Sequence, residues 1–300
     1  MFVTRQGVSM TVISTGVKHP RNSSPNSQGS IHDDAVASKM GFRGGAIAGS
    51  IHLDQFGPAL VEAFGKEWFE SGSHGLYIMH PLTDMEPVEG YIDCGDTALP
   101  ARDIRFGVSM SMPDGTAVAE GTASAGTVNT PSPVTDRDRR PVDPSTLRML
   151  AGTTIGMRLP EVLVSPAKGD QRERVTSGLM TAPLDWYVGD SPWGGPVCSP
   201  LTISRLMTGD VMNPLGRVMG RVVPLYGALE MRIHDGPLML DEDYLVSAVL
   251  TDVSETPKTE IFWCDIEARR AANPGAGPVA GFTMMARVLK ASSPLYADAQ

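Results

Sequence analysis

The chain has 300 residues, enough for one large domain or two of roughly 150. Apolar residues make up 41% and charged residues 20%, the balance of an ordinary globular protein with a real core. The net charge of −9 and a pI of about 5.1 oppose nucleic-acid binding, and no apolar run approaches the roughly 18 residues of a membrane span. Neither nucleic acid nor membrane is therefore an expected partner.

From Met1 to Gly16 the chain alternates weakly, without the charged-then-apolar layout of a leader. Cys94, Cys198 and Cys264 are odd in number and far apart, which argues against a disulfide framework or a Cys-based metal site. A reduced cytoplasmic setting is expected. No His/Asp/Glu group has metal-ligand spacing, no Ser stands in a nucleophile elbow, and no phosphate-cradling loop is present, so no metal and no cofactor are expected. The 17 Met residues suit core filling or the lining of adaptable apolar pockets.

The most specific segment runs Gly29-Ser30-Ile31-His32-Asp33-Asp34-Ala35-Val36-Ala37, then Gly41-Phe42-Arg43-Gly44-Gly45-Ala46-Ile47-Ala48-Gly49-Ser50. It sets an Ile-His pair on a polar loop, ahead of a helical turn over Ala35–Met40 that Asp33 and Asp34 are placed to cap. The glycines lead into an apolar helix with Leu53, Phe56, Leu60 and Phe64 at 3/4 spacing; Gly57-Pro58 should kink or divide it. Strand-like runs follow at His74–Met79, Pro87–Cys94, Ala101–Met112 and Thr116–Ser124, with a hairpin turn at Met112-Pro113-Asp114-Gly115.

Thr127 to Ser145 combines Pro, Thr, Asp and Arg without an apolar period, and reads as a connection between domains 1–126 and 146–300. Beyond it, Ser191-Pro192-Trp193-Gly194-Gly195-Pro196-Val197-Cys198-Ser199-Pro200 echoes the first glycine run at an offset of 150. A helix through Leu201, Leu206 and Met207 should stop at Asn213-Pro214. Strands are expected at Leu229–His234, Tyr244–Val253, Thr259–Arg269 and Val279–Leu289. The halves thus read as degenerate copies, each an apolar helix wrapped by antiparallel strands, an α+β fold.

This pattern, with Ile31-His32 and the Gly-Phe-Arg-Gly-Gly run, resembles the tandem, double-hotdog form of the MaoC-like, (R)-specific enoyl-CoA hydratase superfamily. The resemblance implies a hydro-lyase acting on an acyl thioester of CoA or a carrier protein, which would be substrate and not cofactor. In that family an Asp and a His hold a water, and a glycine N–H at the start of the core helix polarises the thioester carbonyl. The His falls on His32 and the glycine on Gly49. The Asp falls on Ser27, so the family's base pair is incomplete. Asp33 or Asp34 could orient His32 instead, or Asn22 or Asn26 could hold the water.

The remaining candidates are substrate contacts. Gly44 and Gly45 permit close approach of a ligand or of packed backbone. His52, one turn beyond Gly49, faces either the pocket or the core. His80 follows an apolar strand on the side of the site, and Arg43 is the best-placed cation for a carrier phosphate. The second half lacks an Ile-His pair; Trp186, Tyr187 and Trp193 are expected to wall an apolar tunnel there. An isomerase, cyclase or thioesterase using the same pocket, and a non-catalytic binder of acyl or other apolar ligands, are the competing readings. A monomer and a homodimer both fit.

Overall fold

The structure is a computed structural model that describes residues 2–5, 8–27 and 29–299, with side chains described over 10–27 and 29–297. Met1, Gln6 and Gly7 of the N-terminal stretch lie outside the described residues.

The first half contains strands β1 (Phe2–Arg5), β2 (Val8–Ser14), β3 (Gly72–Ile78), β4 (Glu89–Gly95), β5 (Ile104–Ser111) and β6 (Ala117–Ala125). The second contains β7 (Arg158–Val164), β8 (Pro224–Ile233), β9 (Tyr244–Glu255), β10 (Thr259–Arg270) and β11 (Ala280–Leu289). All join one antiparallel sheet, ordered β1-β2-β4-β5-β6-β3-β8-β11-β10-β9-β7. The order 2-4-5-6-3 of one half mirrors 7-9-10-11-8 of the other about the central β3–β8 pair, in which Gly75 faces Glu230 and Tyr77 faces Ala228.

The helices are α1 (Asp34–Lys39), α2 (Ser50–Asp54), α3 (Gly57–Phe64), α4 (Glu67–Ser71), α5 (Lys168–Thr176), α6 (Pro200–Thr208) and α7 (Asn213–Met219). The first core helix is divided between α2 and α3, at Gly57-Pro58, because proline at the first turn starts a helix more readily than it continues one. The same rule corrects one expectation. Asn213-Pro214 does not stop a helix; Pro214 sits in the first turn of α7 and starts it.

Period-two burial seats strands such as β5 and β9. On β5, Phe106, Val108 and Met110 point inward while Gly107 and Ser109 are exposed. One apolar cluster runs through both halves, with Phe56, Leu60, Phe64 and Trp68 of the first packed in the same body as Leu206, Met207 and Leu215 of the second. Residues 127–145 cross the outer face of the sheet. Val134 is buried there against Ala228, Trp263 and Met285, and Arg139 binds Asp252 at 2.7 Å. Strands β1, β2 and β7 are absent from the sequence reading; β2 lies next to β4 with β1 outside it, and β7 lies next to β9.

Candidate functional site

The loop that carries His32 is tied down at each turn. Asp33 caps α1 by accepting from the Val36 N–H at 3.0 Å. Asp34 accepts from the Gly45 N–H at 2.7 Å and so clamps the glycine run onto the loop. The Ala46 N–H donates to the Ile31 carbonyl at 3.0 Å, and the Asn22 amide donates to the His32 carbonyl at 2.8 Å. A Cβ at Gly45 would collide with that same His32 carbonyl, so the close lie of the two segments requires glycine. Both carboxylates are thus spent on the backbone, and neither turns to the His32 ring.

The ring has a defined proton arrangement. His32 Nδ1 lies 2.6 Å from the Ala46 carbonyl oxygen, which can only accept. In the neutral ring Nδ1 therefore carries the hydrogen and Nε2 the lone pair. His32 is half-buried and lines a cavity of about 380 Å³. Gly49, the N-cap of α2, lines it too. Its N–H donates to no protein acceptor among the described residues. A Cβ there would lie 2.5 Å from Ile78 Cδ1 and 3.1 Å from Tyr226 Cβ, so only glycine leaves the N–H approachable.

His52 also lines this cavity. Its Nδ1 lies 3.4 Å from the Gln55 amide nitrogen, and burial pulls its pKa down to about 4, so the ring is neutral at pH 7. The far walls come from the second half: Thr208, Met212, Leu215, Met219, Tyr226 and Phe262 among them. Tyr226 and Thr208 share a hydrogen bond of 3.1 Å. Among the described residues no Asp, Glu, Lys or Arg lines the cavity. Sequence reasoning missed these second-half walls. The methionines at 212 and 219 were the one available signal.

The other candidates lie elsewhere. Asn26 is exposed and Ser27 half-buried, and neither lines the cavity. Arg43 is engaged by Glu86 through both carboxylate oxygens and by His80 Nε2 at 2.7 Å, and neither Arg43 nor His80 lines the cavity. Gly44 packs on Asp34 and Thr83. Trp186, Tyr187 and Trp193 do not wall the cavity. Trp186 meets Phe69 edge-on and Trp193 meets it at a tilt, each with ring centres 5.8 Å apart, Trp193 donates to Glu70 at 3.0 Å, and Tyr187 is fully buried beside Gly57. The physical reason is the internal symmetry: the 185–193 segment occupies the second half's own copy of the site. Among the described residues no group of three His, Cys, Asp or Glu is placed to hold a metal, and no helix is long and apolar enough to cross a membrane.

No family model and no curated protein matches the sequence. Solved structures do match in shape. A putative MaoC-domain dehydratase from Chloroflexus aurantiacus superposes with a TM-score of 0.60 at 12% identity, covering 93% of this chain and 95% of that one. A MaoC-like dehydratase gives 0.51 at 13% identity, over 85% and 87% of the two chains. A conserved Mycobacterium tuberculosis protein with a double hotdog fold gives 0.55 at 11% identity, over 93% and 96%. The fold is a double hotdog.

Within the double hotdog, backbone hydrogen bonds identify equivalent positions. Ala46 and Ile47 donate to Ile31 and Leu82; Val197 and Cys198 donate to Trp186 and Leu238. Tyr187 therefore stands where His32 stands, and Pro200 where Gly49 stands, one residue out from the sequence echo. Pro200 has no N–H. The adjacent Leu201 N–H is already taken by Asp54 Oδ1 at 3.0 Å, a carboxylate from α2 whose pKa burial pushes up.

Proposed function

We propose that the protein is an acyl-thioester hydratase or dehydratase that works at the His32–Gly49 cavity of the first hotdog. The observation that carries this reading is that one largely apolar cavity is lined both by His32, whose Nδ1 is engaged by the Ala46 carbonyl, and by Gly49, whose N–H has no protein acceptor among the described residues. The Gly49 N–H would donate to the thioester carbonyl oxygen and oppose the negative charge that builds on it as the enolate forms. His32 Nε2 would take a proton from water as the water oxygen bonds to C3, then return that proton to C2. The same steps in reverse expel water. With Ser27 outside the cavity, no carboxylate shares the proton work. Neutral His52 supplies the second polar edge, suited to hold water or carbonyl without adding charge. The chemistry calls for no metal or cofactor.

The apolar walls favour an uncharged acyl chain of modest length, with its carrier at the rim. The structural neighbours named as MaoC-like dehydratases support this class of reaction through shared fold. A screen of short 2-enoyl-CoA and saturated acyl-CoA thioesters, followed by mass, tests it. Addition of one water to the enoyl thioesters, lost in His32→Ala, is the expected result. Release of free thiol from saturated thioesters would move the assignment to a thioesterase. Ligand uptake without any turnover would make the protein a binding module.

A further inference from the structure

Directly behind the cavity, on the outer face of the sheet, lies a groove of about 650 Å³. Strand alternation sets the two hollows back to back. Ile78, Phe262 and Ala286 face the cavity, while their neighbours Tyr77, Trp263 and Arg287 face the groove. Both hollows sit at the same end of β3, β10 and β11. The 127–145 segment forms one bank and contributes Arg137, Arg139 and Arg140.

The arginines are held in distinct ways. The Arg137 guanidinium lies 3.9 Å over the Tyr77 ring. Arg287 lies 5.1 Å from the same ring, donates to its hydroxyl, and reaches the Ile78 carbonyl at 3.4 Å. Arg139 lies over Trp263 at 4.5 Å and pairs with Asp252; Arg140 pairs with Asp138. The other groove carboxylate, Glu255, is taken by Lys290. Among the described residues, neither Arg137 nor Arg287 has a carboxylate within 4.0 Å. In a chain of net charge −9, two uncompensated guanidinium groups share one tyrosine. Stacking orients their planes in advance, and a guanidinium fork matches the oxygens of a phosphoryl group.

We propose that this groove binds a phosphoryl group on a small molecule, with Arg137 and Arg287 as its principal partners. The group could arrive on the nucleotide end of a thioester carrier whose acyl end occupies the cavity, or on a free phosphorylated ligand. Only the first source rests on the thioester reading.

Calorimetric titration of the full chain with adenosine 3′,5′-bisphosphate and with inorganic pyrophosphate tests the site. Saturable one-to-one binding is expected with at least one of the two, weakened by added salt and by roughly tenfold or more in Arg137→Gln. Arg172→Gln, at an exposed arginine of α5 outside the groove, should bind as the wild type does. Binding of neither probe, or equal binding by Arg137→Gln with its fold intact by circular dichroism, would overturn the proposal. A preference for crotonyl-CoA over crotonyl-pantetheine that Arg137→Gln removes assigns the groove to the carrier. Bisphosphate binding without such a preference, or without any thioester turnover, assigns it to a free ligand.

Discussion

The two hotdogs share one scaffold and have diverged at the same spot. At the first core helix, Gly49, whose N–H has no protein acceptor among the described residues, lines a cavity that His32 also lines. At the second, Pro200 has no N–H to present, Tyr187 fills the histidine's place, and Asp54 caps the next N–H with a carboxylate of the protein's own. The lesson is a division of labour: one half keeps the polar groups, and the other closes its copy and lends α7, β8 and β10 as apolar walls. In a duplicated fold related by a central antiparallel strand pair, the wall of one site belongs to the opposite half.

The sharpest way to break this contrast is to exchange the fates of the two equivalent residues. His32→Ala should lower the rate of thioester hydration by about 10²–10⁴-fold. Tyr187→Phe removes a hydroxyl that is buried with no hydrogen-bond partner, and should leave both rate and stability nearly unchanged. Steady-state kinetics on both variants decides the matter; equal losses would mean that the second site is not closed.

Acid provides the next contrast. His52 and His74 of the first half are buried neutral, with pKa values pulled down by burial to about 4 and about 3. In the unfolded chain both titrate near 6.5, so below that pH the unfolded state gains protons that the folded state refuses. Their contribution is intact above about pH 7 and erodes as the pH falls toward 4, by a few kcal/mol (order of magnitude). Urea melts at pH 7 and pH 4.5 should show this loss, and His74→Leu should reduce it. An unchanged loss in that variant would place the acid sensitivity elsewhere.

The paired glycine runs sharpen the comparison through stability. Gly45→Ala forces a methyl into the His32 carbonyl and should cost about 1–3 kcal/mol. Gly195→Ala meets nothing nearer than Met239 Cε at 3.4 Å and should stay within about 0.5 kcal/mol of wild type. Thermal melts of the two variants read this directly. The smallest effect concerns the walls. Met219→Ala should raise KM roughly tenfold or less, whereas Trp186→Ala, outside the cavity, should leave KM alone.

The legibility of these features in the sequence follows from how local their causes are. The cap at Asp33, the break at Gly57-Pro58 and the Pro113-Asp114-Gly115 turn depend on neighbours within four residues, and each stands where the spacing put it. Strand β7 escaped notice because it buries only Leu159 and carries a register shift, which erases the period-two signal. Asn213-Pro214 was ambiguous because proline serves both to end a helix and to begin one. The aromatic segment 185–193 resembled a pocket wall by composition alone. Only the three-dimensional symmetry shows that Met212, Met219 and Tyr226 face His32 while Trp186 and Trp193 pack against Phe69.

The most direct test of the central claim is a crystal structure with a non-reactive 3-hydroxyacyl thioester analogue bound. The carbonyl oxygen should lie within hydrogen-bonding distance of the Gly49 nitrogen and the C3 hydroxyl on His32 Nε2, with the acyl chain along Met212, Leu215 and Phe262. An analogue seated away from both groups, or an acyl chain lodged beside Tyr187 and Pro200, would contradict it.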